Sequence, residues 1–324
     1  MRTLGIEYPS AGTVRLIDIG QPPEPGPNEV LIETVYSGIT NGTERHALLG
    51  EHGWKGAFPG RHGYQHVGII ARAGELVKGF HVGDWVFYGR YVGHRGWNIQ
   101  EMSRSDPQAN DSHLVIALPP GIDRELCALF GVAGVALRAV RRLRVDATQK
   151  VWVVGAGPVG LFAAQAARAF GAEVTVTDLI PRRLAVAREL GAHIVIDASA
   201  PDAPAALKEG GPYDRIIDAS GAVGLLEDIR RLGVLAHGGA IGLIAVRSDT
   251  TFQWSMLHGT EASIEVSCHF GLGDLALLID LVRRGVISIA PMISHREPIQ
   301  RAPEIYATLR DRPSELLGVI FDWR

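Results

Sequence analysis

VWVVGAGPVGLFAAQAARAFGAEVTVTD, residues 151–178, decides the fold. Four apolar residues, Val151 to Val154, run straight into Gly155-Ala156-Gly157-Pro158-Val159-Gly160, and an alanine-rich stretch with helical spacing follows. The order is strand, glycine turn, helix, strand, the context in which a G-x-G-x-x-G pattern binds a dinucleotide. Gly155 is expected to make the tight turn, Gly157 to let the backbone approach a pyrophosphate, and Gly160 to let helix and strand pack closely. Ala156, Pro158 and Val159 complete the loop, whose helix N-terminus offers unpaired N–H groups and partial positive charge to phosphates. Asp178 ends the next strand, 23 residues beyond Gly155, where a carboxylate accepts hydrogen bonds from the adenosine ribose hydroxyls and repels a 2′-phosphate. The expected cofactor is therefore NAD rather than NADP. Arg183 is expected over the adenine or at a ribose oxygen, or else as a solvated helix residue.

Outward from this stretch the alternation continues. PRRLAVARELGA reads as a helix with proline at its start, and HIVID, YDRIIDASG and AIGLIAV read as buried strands. RELCALFGVAGVALRAVRRL precedes them with the spacing of a mostly buried helix. This predicts an α/β doubly wound parallel sheet. The first ~120 residues differ, with short alternating stretches such as VLIETVYSG and HVGIIARAG set between breakers like QPPEPGPNE. They read as a β-rich domain, with GELVKGFHVGDWVFYG entering a tightly turned barrel. From Arg90 to His113 the chain turns polar and reads as a long loop facing solvent or a ligand. After GDLALLIDLVRRG the closing LLGVIFDWR is strand-like, so the chain is expected to return to the first domain. The expected division is residues 1–122 with 289–324 in the β-rich domain and 123–288 in the nucleotide-binding domain, since 324 residues exceed one comfortable core.

Composition narrows the function. The chain is 46% hydrophobic and 21% charged with a formal net charge of −3, which leaves no electrostatic footprint for nucleic acid or an anionic membrane. No uncharged run reaches the ~18 residues of a membrane span, and the start lacks a signal peptide's apolar segment. The expected location is the cytoplasm. Only Cys127 and Cys268 occur, too few for a disulfide framework or a four-cysteine zinc knot, and both are expected reduced and mostly buried.

GAGPVG with Asp178, YSGITNGTERHALLG (36–50), HGYQHVGIIARAGELVKGFHVGDWV (62–86), YDRIIDASG (213–221) and ISHREPIQRAPEIYATL together resemble the medium-chain dehydrogenase/reductase superfamily over essentially the whole chain. The resemblance implies a Rossmann domain plus a GroES-like barrel catalytic domain, a small-molecule substrate and, commonly, a homodimer. EASIEVSCHF could pair across a two-fold axis. In zinc-dependent alcohol dehydrogenases of this family a cysteine precedes a Gly-Thr-Asp-type triplet, and Gly-His-Glu follows later. Here Thr40 or Asn41 stands at the cysteine position before Gly42-Thr43-Glu44, and the second motif has become Gly63-Tyr64-Gln65. Cys127 is the one remaining donor near the third ligand position, and the four-cysteine structural zinc lobe has no counterpart between Gly96 and Ser112. The SGITNGTE and GYQHVG variants look like the subgroup that includes bacteriochlorophyllide hydroxyethyl dehydrogenases.

PGRHGYQHVG (59–68) offers His62 and His66, which could join His46 or His94 around an ion. Gly63 and the strand-forming residues that follow make the segment extended or turning, which puts the two rings about 13 Å apart at roughly 3.3 Å per residue. No metal is therefore expected, and the two histidines read as surface or supporting residues.

Without zinc, hydrogen-bond donors must stabilise the charge that develops on an alcohol oxygen as hydride leaves carbon. Thr43 and His46 match the family's proton-relay Ser/Thr and His, with the proton passing through the nicotinamide ribose. Tyr64 stands where the zinc-binding histidine stood and reads either as proton donor and acceptor or as an aromatic filling the gap. A tyrosine with a pKa of about 10 needs cationic neighbours or hydrogen bonds to act as a base. Glu44 is expected to tie the site loop to a basic group, and His94, Arg95 and Trp97 to face substrate or solvent. The expected function is a zinc-independent, NAD-dependent oxidoreductase interconverting a secondary alcohol and a ketone. A zinc-free quinone or enoyl reductase and a catalytically inactive NAD-binding protein are the alternatives.

Overall fold

The structure is a computed structural model that describes residues 3–103 and 113–324. Two compact units divide the described residues. Met1–Gly131, Phe270–Arg283 and Ile293–Arg324 bound the first, and Val132–His269 with Arg284–Met292 the second.

The first unit opens with an antiparallel pair, β1 (Leu4–Glu7) and β2 (Arg15–Asp18), followed by β3 (Glu29–Gly38), α1 (Asn41–Leu49), β4 (His66–Ala73), β5 (Trp85–Tyr88), β6 (Trp97–Glu101) and β7 (Val115–Ala117). β3 is the longest of these strands because its apolar residues on both faces are buried. Gly68 of β4 lies so close to β3 that a Cβ there would stand 2.3 Å from the Glu33 carbonyl oxygen. The unit boundary follows the packing after β7. A 3₁₀ turn, Leu126–Leu129, presses the Ala128 carbonyl onto Gly38, where a Cβ would meet it at 2.1 Å, so residues 123–131 stay with the β-rich unit. The helix expected there begins after this turn, as α2 (Phe130–Arg142).

The second unit alternates β8 (Lys150–Val154), α3 (Pro158–Ala169), β9 (Glu173–Asp178), α4 (Pro181–Glu189), β10 (Ile194–Asp197), α5 (Ala203–Gly210), β11 (Tyr213–Asp218), α6 (Leu225–Leu232), β12 (Leu235–Leu243), α7 (Trp254–Thr260) and β13 (Ser263–Val266). Its six strands are all parallel in the order β10-β9-β8-β11-β12-β13. The order reverses between β8 and β11, and the carboxyl ends of strands at such a reversal are where doubly wound sheets bind ligands. Of EASIEVSCHF only Ser263–Val266 is strand, at the sheet edge. Cys268 is exposed, against expectation, while Cys127 is buried.

The chain then adds α8 (Leu272–Arg283), β14 (Ile293–Pro298), α9 (Ala302–Asp311) and β15 (Gly318–Asp322) to the first unit. Its main sheet has the order β14-β15-β3-β4-β5-β7, with β6 also on β3. The expected fold class, a Rossmann sheet plus a β-rich domain, is what the structure shows. The polar stretch 90–113 is not one long loop: β6 lies within it, and residues 104–112 of it lie outside the described residues. No described helix is long and apolar enough to cross a membrane.

Candidate active site

In the second unit the glycine loop links β8 to α3. Gly155 has φ +94°, a conformation that disfavours any side chain, and a Cβ on Gly160 would lie 1.8 Å from the Gly155 carbonyl oxygen. A Cβ on Gly157 would meet nothing within 4 Å, so this backbone is open to an approaching group. Gly157 caps α3 without a side-chain hydrogen bond and Pro158 occupies the first turn, which leaves backbone N–H groups for an anion. The Asp178 carboxylate accepts from the amides of Ala156 at 2.6 Å and Ile180 at 2.8 Å. Each oxygen retains a lone pair for a further donor. The Arg183 guanidinium lies 3.9 Å from the same carboxylate. This loop fits a dinucleotide's pyrophosphate and ribose.

Sequence reasoning did not single out the opposite wall. Asp218, fully buried at the end of β11, accepts from the amides of Ser220 at 2.9 Å and Gly221 at 3.0 Å and from the Ser220 hydroxyl at 2.8 Å, and it pairs with Arg247. The turn it holds packs on the glycine loop, since a Cβ on Gly155 would stand 3.1 Å from Ser220 Cβ. The signal was there in YDRIIDASG, an acidic residue ending a strand before Ser-Gly.

In the first unit α1 carries Thr43 and His46 three residues apart on one partly exposed face, and Glu44 inward. The Glu44 carboxylate accepts from the Thr40 amide at 2.8 Å and from the Tyr306 hydroxyl, and it faces His94 Nε2 at 3.1 Å. Burial works to raise its pKa, but the charge of His94 and the hydrogen bonds from His94, Thr40 and Tyr306 outweigh it and hold the carboxyl below its usual range. His94 is buried rather than exposed, and its other nitrogen meets Ser37 Oγ at 2.8 Å. Trp97 belongs to β6, with the Arg95 guanidinium over its ring.

Tyr64 sits on the loop before β4, 5% exposed, stacked on Tyr91 at 5.8 Å and tilted against Phe270 at 6.1 Å. Gly131 packs so close that a Cβ there would be 2.7 Å from the Tyr64 ring. Gly63, at φ +125°, turns the chain here, and the flanking histidines are buried rather than on the surface. His62 Nδ1 meets the Tyr91 hydroxyl at 3.0 Å, and burial lowers its pKa. His66 Nε2 donates to the Gly93 carbonyl at 3.1 Å, and burial foremost, then the charge of His94, pushes its pKa down to about 3.

The positions where the resemblance implies zinc ligands hold other interactions. Gln65 Nε2 donates to Thr40 Oγ1 at 3.1 Å and to the Gly38 carbonyl at 3.2 Å, and Asn41 Nδ2 donates to the Leu317 carbonyl at 2.9 Å. The buried Cys127 thiol donates to the Asp123 carbonyl at 3.1 Å, and burial pushes its pKa well up, away from the thiolate a metal needs. This donor set does not fit a catalytic zinc.

Residues 26–121 match the alcohol dehydrogenase GroES-like domain, and residues 158–284 match the zinc-binding dehydrogenase domain. The chain is 30% identical to L-galactonate-5-dehydrogenase of Escherichia coli (strain K12), covering 88% of each. It is 28% identical to sorbitol dehydrogenase of Bos taurus, covering 88% of this chain and 87% of the relative. Among solved structures, an Escherichia coli oxidoreductase/dehydrogenase of unknown specificity superposes with a TM-score of 0.85 at 20% identity, and 2R,3R-butanediol dehydrogenase of Bacillus subtilis with 0.82 at 21%, each covering 99% of both chains. The chain belongs to the alcohol dehydrogenase-like family of medium-chain dehydrogenases/reductases. It is an alcohol dehydrogenase-like oxidoreductase.

Proposed function

We propose that this oxidoreductase interconverts a secondary alcohol of a polyol, sugar acid or biosynthetic intermediate with the corresponding ketone, using NAD and no catalytic zinc. The observation that carries the reading is the ligand set: Tyr64 and Gln65 stand packed and hydrogen-bonded at positions where the family resemblance implies zinc ligands, while Thr43 and His46 lie on one face of α1. Relatives named for sorbitol and L-galactonate oxidation support the substrate class. The SGITNGTE and GYQHVG variants support the finer likeness to bacteriochlorophyllide hydroxyethyl dehydrogenases.

NAD supplies the hydride acceptor. Gly155, Ala156, Gly157, Pro158, Val159 and Gly160 would hold its pyrophosphate, Asp178 its ribose hydroxyls, and Arg183 its adenosine end. As the carbinol C–H bond breaks and hydride leaves, the hydroxyl proton must leave oxygen. Thr43 orients that oxygen by hydrogen bonding, His46 is the terminal base, and the Tyr64 hydroxyl donates to the developing oxyanion in place of a Lewis acid. A cytoplasmic homodimer belongs to the same reading, with β13 offering an open sheet edge to a second copy.

The test is NAD reduction by chelator-treated, metal-free protein across polyols, sugar acids, cyclitols and 2,3-diols. Retained turnover on a secondary alcohol, with NADH bound more tightly than NADPH, is the expected result. Activity that vanishes on chelation and returns with one zinc per chain overturns the zinc-free mechanism, and NADPH-preferring reduction of enones or quinones instead of alcohol oxidation overturns the substrate reading.

A further inference from the structure

At the C-terminal end of α1 the chain folds back on itself. Gly50 caps the helix at φ 69°, and the Glu51 amide donates to the His46 carbonyl at 2.9 Å. His52 follows at φ 53° and opens a one-turn 3₁₀ helix closed by the Trp54 amide on the Glu51 carbonyl at 3.1 Å. These bonds set three ligand-type side chains around one point. His46 Nδ1 lies 2.6 Å from Glu51 Oε2, and the His46 and His52 rings stand 4.5 Å apart at 70°. One ligand atom from each of the three lies within 4.8 Å of the other two.

From this arrangement we infer that His46, Glu51 and His52 form a binding site for a divalent transition cation, distinct from the family's zinc position and new relative to the sequence expectation of no metal. Tetrahedral zinc with nitrogen and oxygen ligands at about 2.0–2.2 Å sets its donors about 3.3 Å apart. To meet that spacing, separations of up to 4.8 Å close by at most about 1.5 Å, and the 2.6 Å contact of His46 Nδ1 with Glu51 Oε2 opens by about 0.7 Å, both within reach of ordinary rotation of partly exposed side chains. Two imidazoles with one carboxylate select zinc, cobalt or nickel over magnesium or calcium, which prefer all-oxygen shells. Side-chain exposures of 26% for His46 and 43% for Glu51 give the cation an entry path and leave room for water at the fourth position. Resting on the relay reading, the site carries a consequence: a cation bound at His46 takes up the lone pair the relay uses and lowers alcohol oxidation.

The site is tested by titrating chelator-treated protein with Co²⁺, following visible d–d absorption and equilibrium dialysis, neither of which depends on turnover. One Co²⁺ per chain is expected, with binding weakened roughly tenfold or more in His52→Asn and in Glu51→Gln, and unchanged in His81→Asn. Asparagine tolerates the positive φ at His52, so that variant keeps the local fold. Absence of stoichiometric binding, or binding indifferent to both substitutions, overturns the site. Because the proposed oxidation is assayed on metal-free protein, failure of either result leaves the other readable.

Discussion

His94 Nε2 lies 3.1 Å from Glu44 Oε2, and both side chains are fully buried. The pair joins β3, through Ser37, to α1 and, through Tyr306, to α9, so three elements distant in sequence meet at one carboxylate. Removing one member of such a pair strands the other in a medium that cannot solvate it. Glu44→Ala is expected to destabilise the chain by about 3–5 kcal/mol in urea unfolding, and the Glu44→Ala, His94→Leu double variant to lose less than the sum of the singles. Additive losses would show that the two groups do not interact.

His66, His62 and His113 all carry lowered pKa values, with burial the leading cause in each, while in the unfolded chain a histidine titrates near ~6.5. Protons therefore bind the unfolded state preferentially as pH falls from that value toward about 3, the folded value for His66. Their contribution to stability is complete above the unfolded pKa and shrinks with acid, at up to ~1.4 kcal/mol per pH unit for each histidine. Tm measured from pH 7.5 to 5.0 should fall, and His66→Gln should flatten that slope. An unchanged slope would show that His66 does not contribute.

Asp178 accepts two backbone amides and retains lone pairs for ribose hydroxyls. Asp178→Ser removes the carboxylate, so NADH affinity should drop roughly tenfold, equivalent to ~1.4 kcal/mol, while the preference over NADPH narrows. Fluorescence titration with both nucleotides checks this, and unaltered discrimination would place cofactor selection elsewhere.

Gly160→Ala sets a methyl 1.8 Å from the Gly155 carbonyl oxygen, backbone that cannot yield cheaply. The expected outcome is a loss of about 1–3 kcal/mol of stability and of measurable NADH binding. Gly157→Ala, whose methyl meets nothing within 4 Å, should unfold like the parent yet bind NADH more weakly, because the added group occupies the ligand's approach.

Thr43→Val and Tyr64→Phe separate the proposed roles. Removing the Thr43 hydroxyl should lower kcat by 10²-fold or more, on the order of a lost proton-transfer or oxyanion contact. Tyr64→Phe keeps the ring stack on Tyr91, so full turnover in that variant would make Tyr64 a space-filling aromatic.

The dinucleotide half was legible in the sequence because its determinants are local. Apolar runs set parallel strands, three glycines and a proline shape one loop, and Asp178 follows at fixed spacing, all within a single strand-turn-helix-strand stretch. The residue types at the positions where the resemblance implies zinc ligands, Thr40 or Asn41, Tyr64 and Gln65, were legible for the same reason. Tertiary structure alone decided what surrounds Tyr64 and Glu44. The polar run after Arg90 hid β6 and the buried His94, since a histidine next to glycine and arginine gives no local sign that Glu44, 50 residues away, will take it out of water. His62 and His66 became interior groups because Gly63 turns the chain between them, and His46, Glu51 and His52 converged because a left-handed helix cap reverses its direction. Motif chemistry travels with neighbours in the chain, whereas burial and charge pairing depend on which distant segments arrive at the same point, and that is settled by packing.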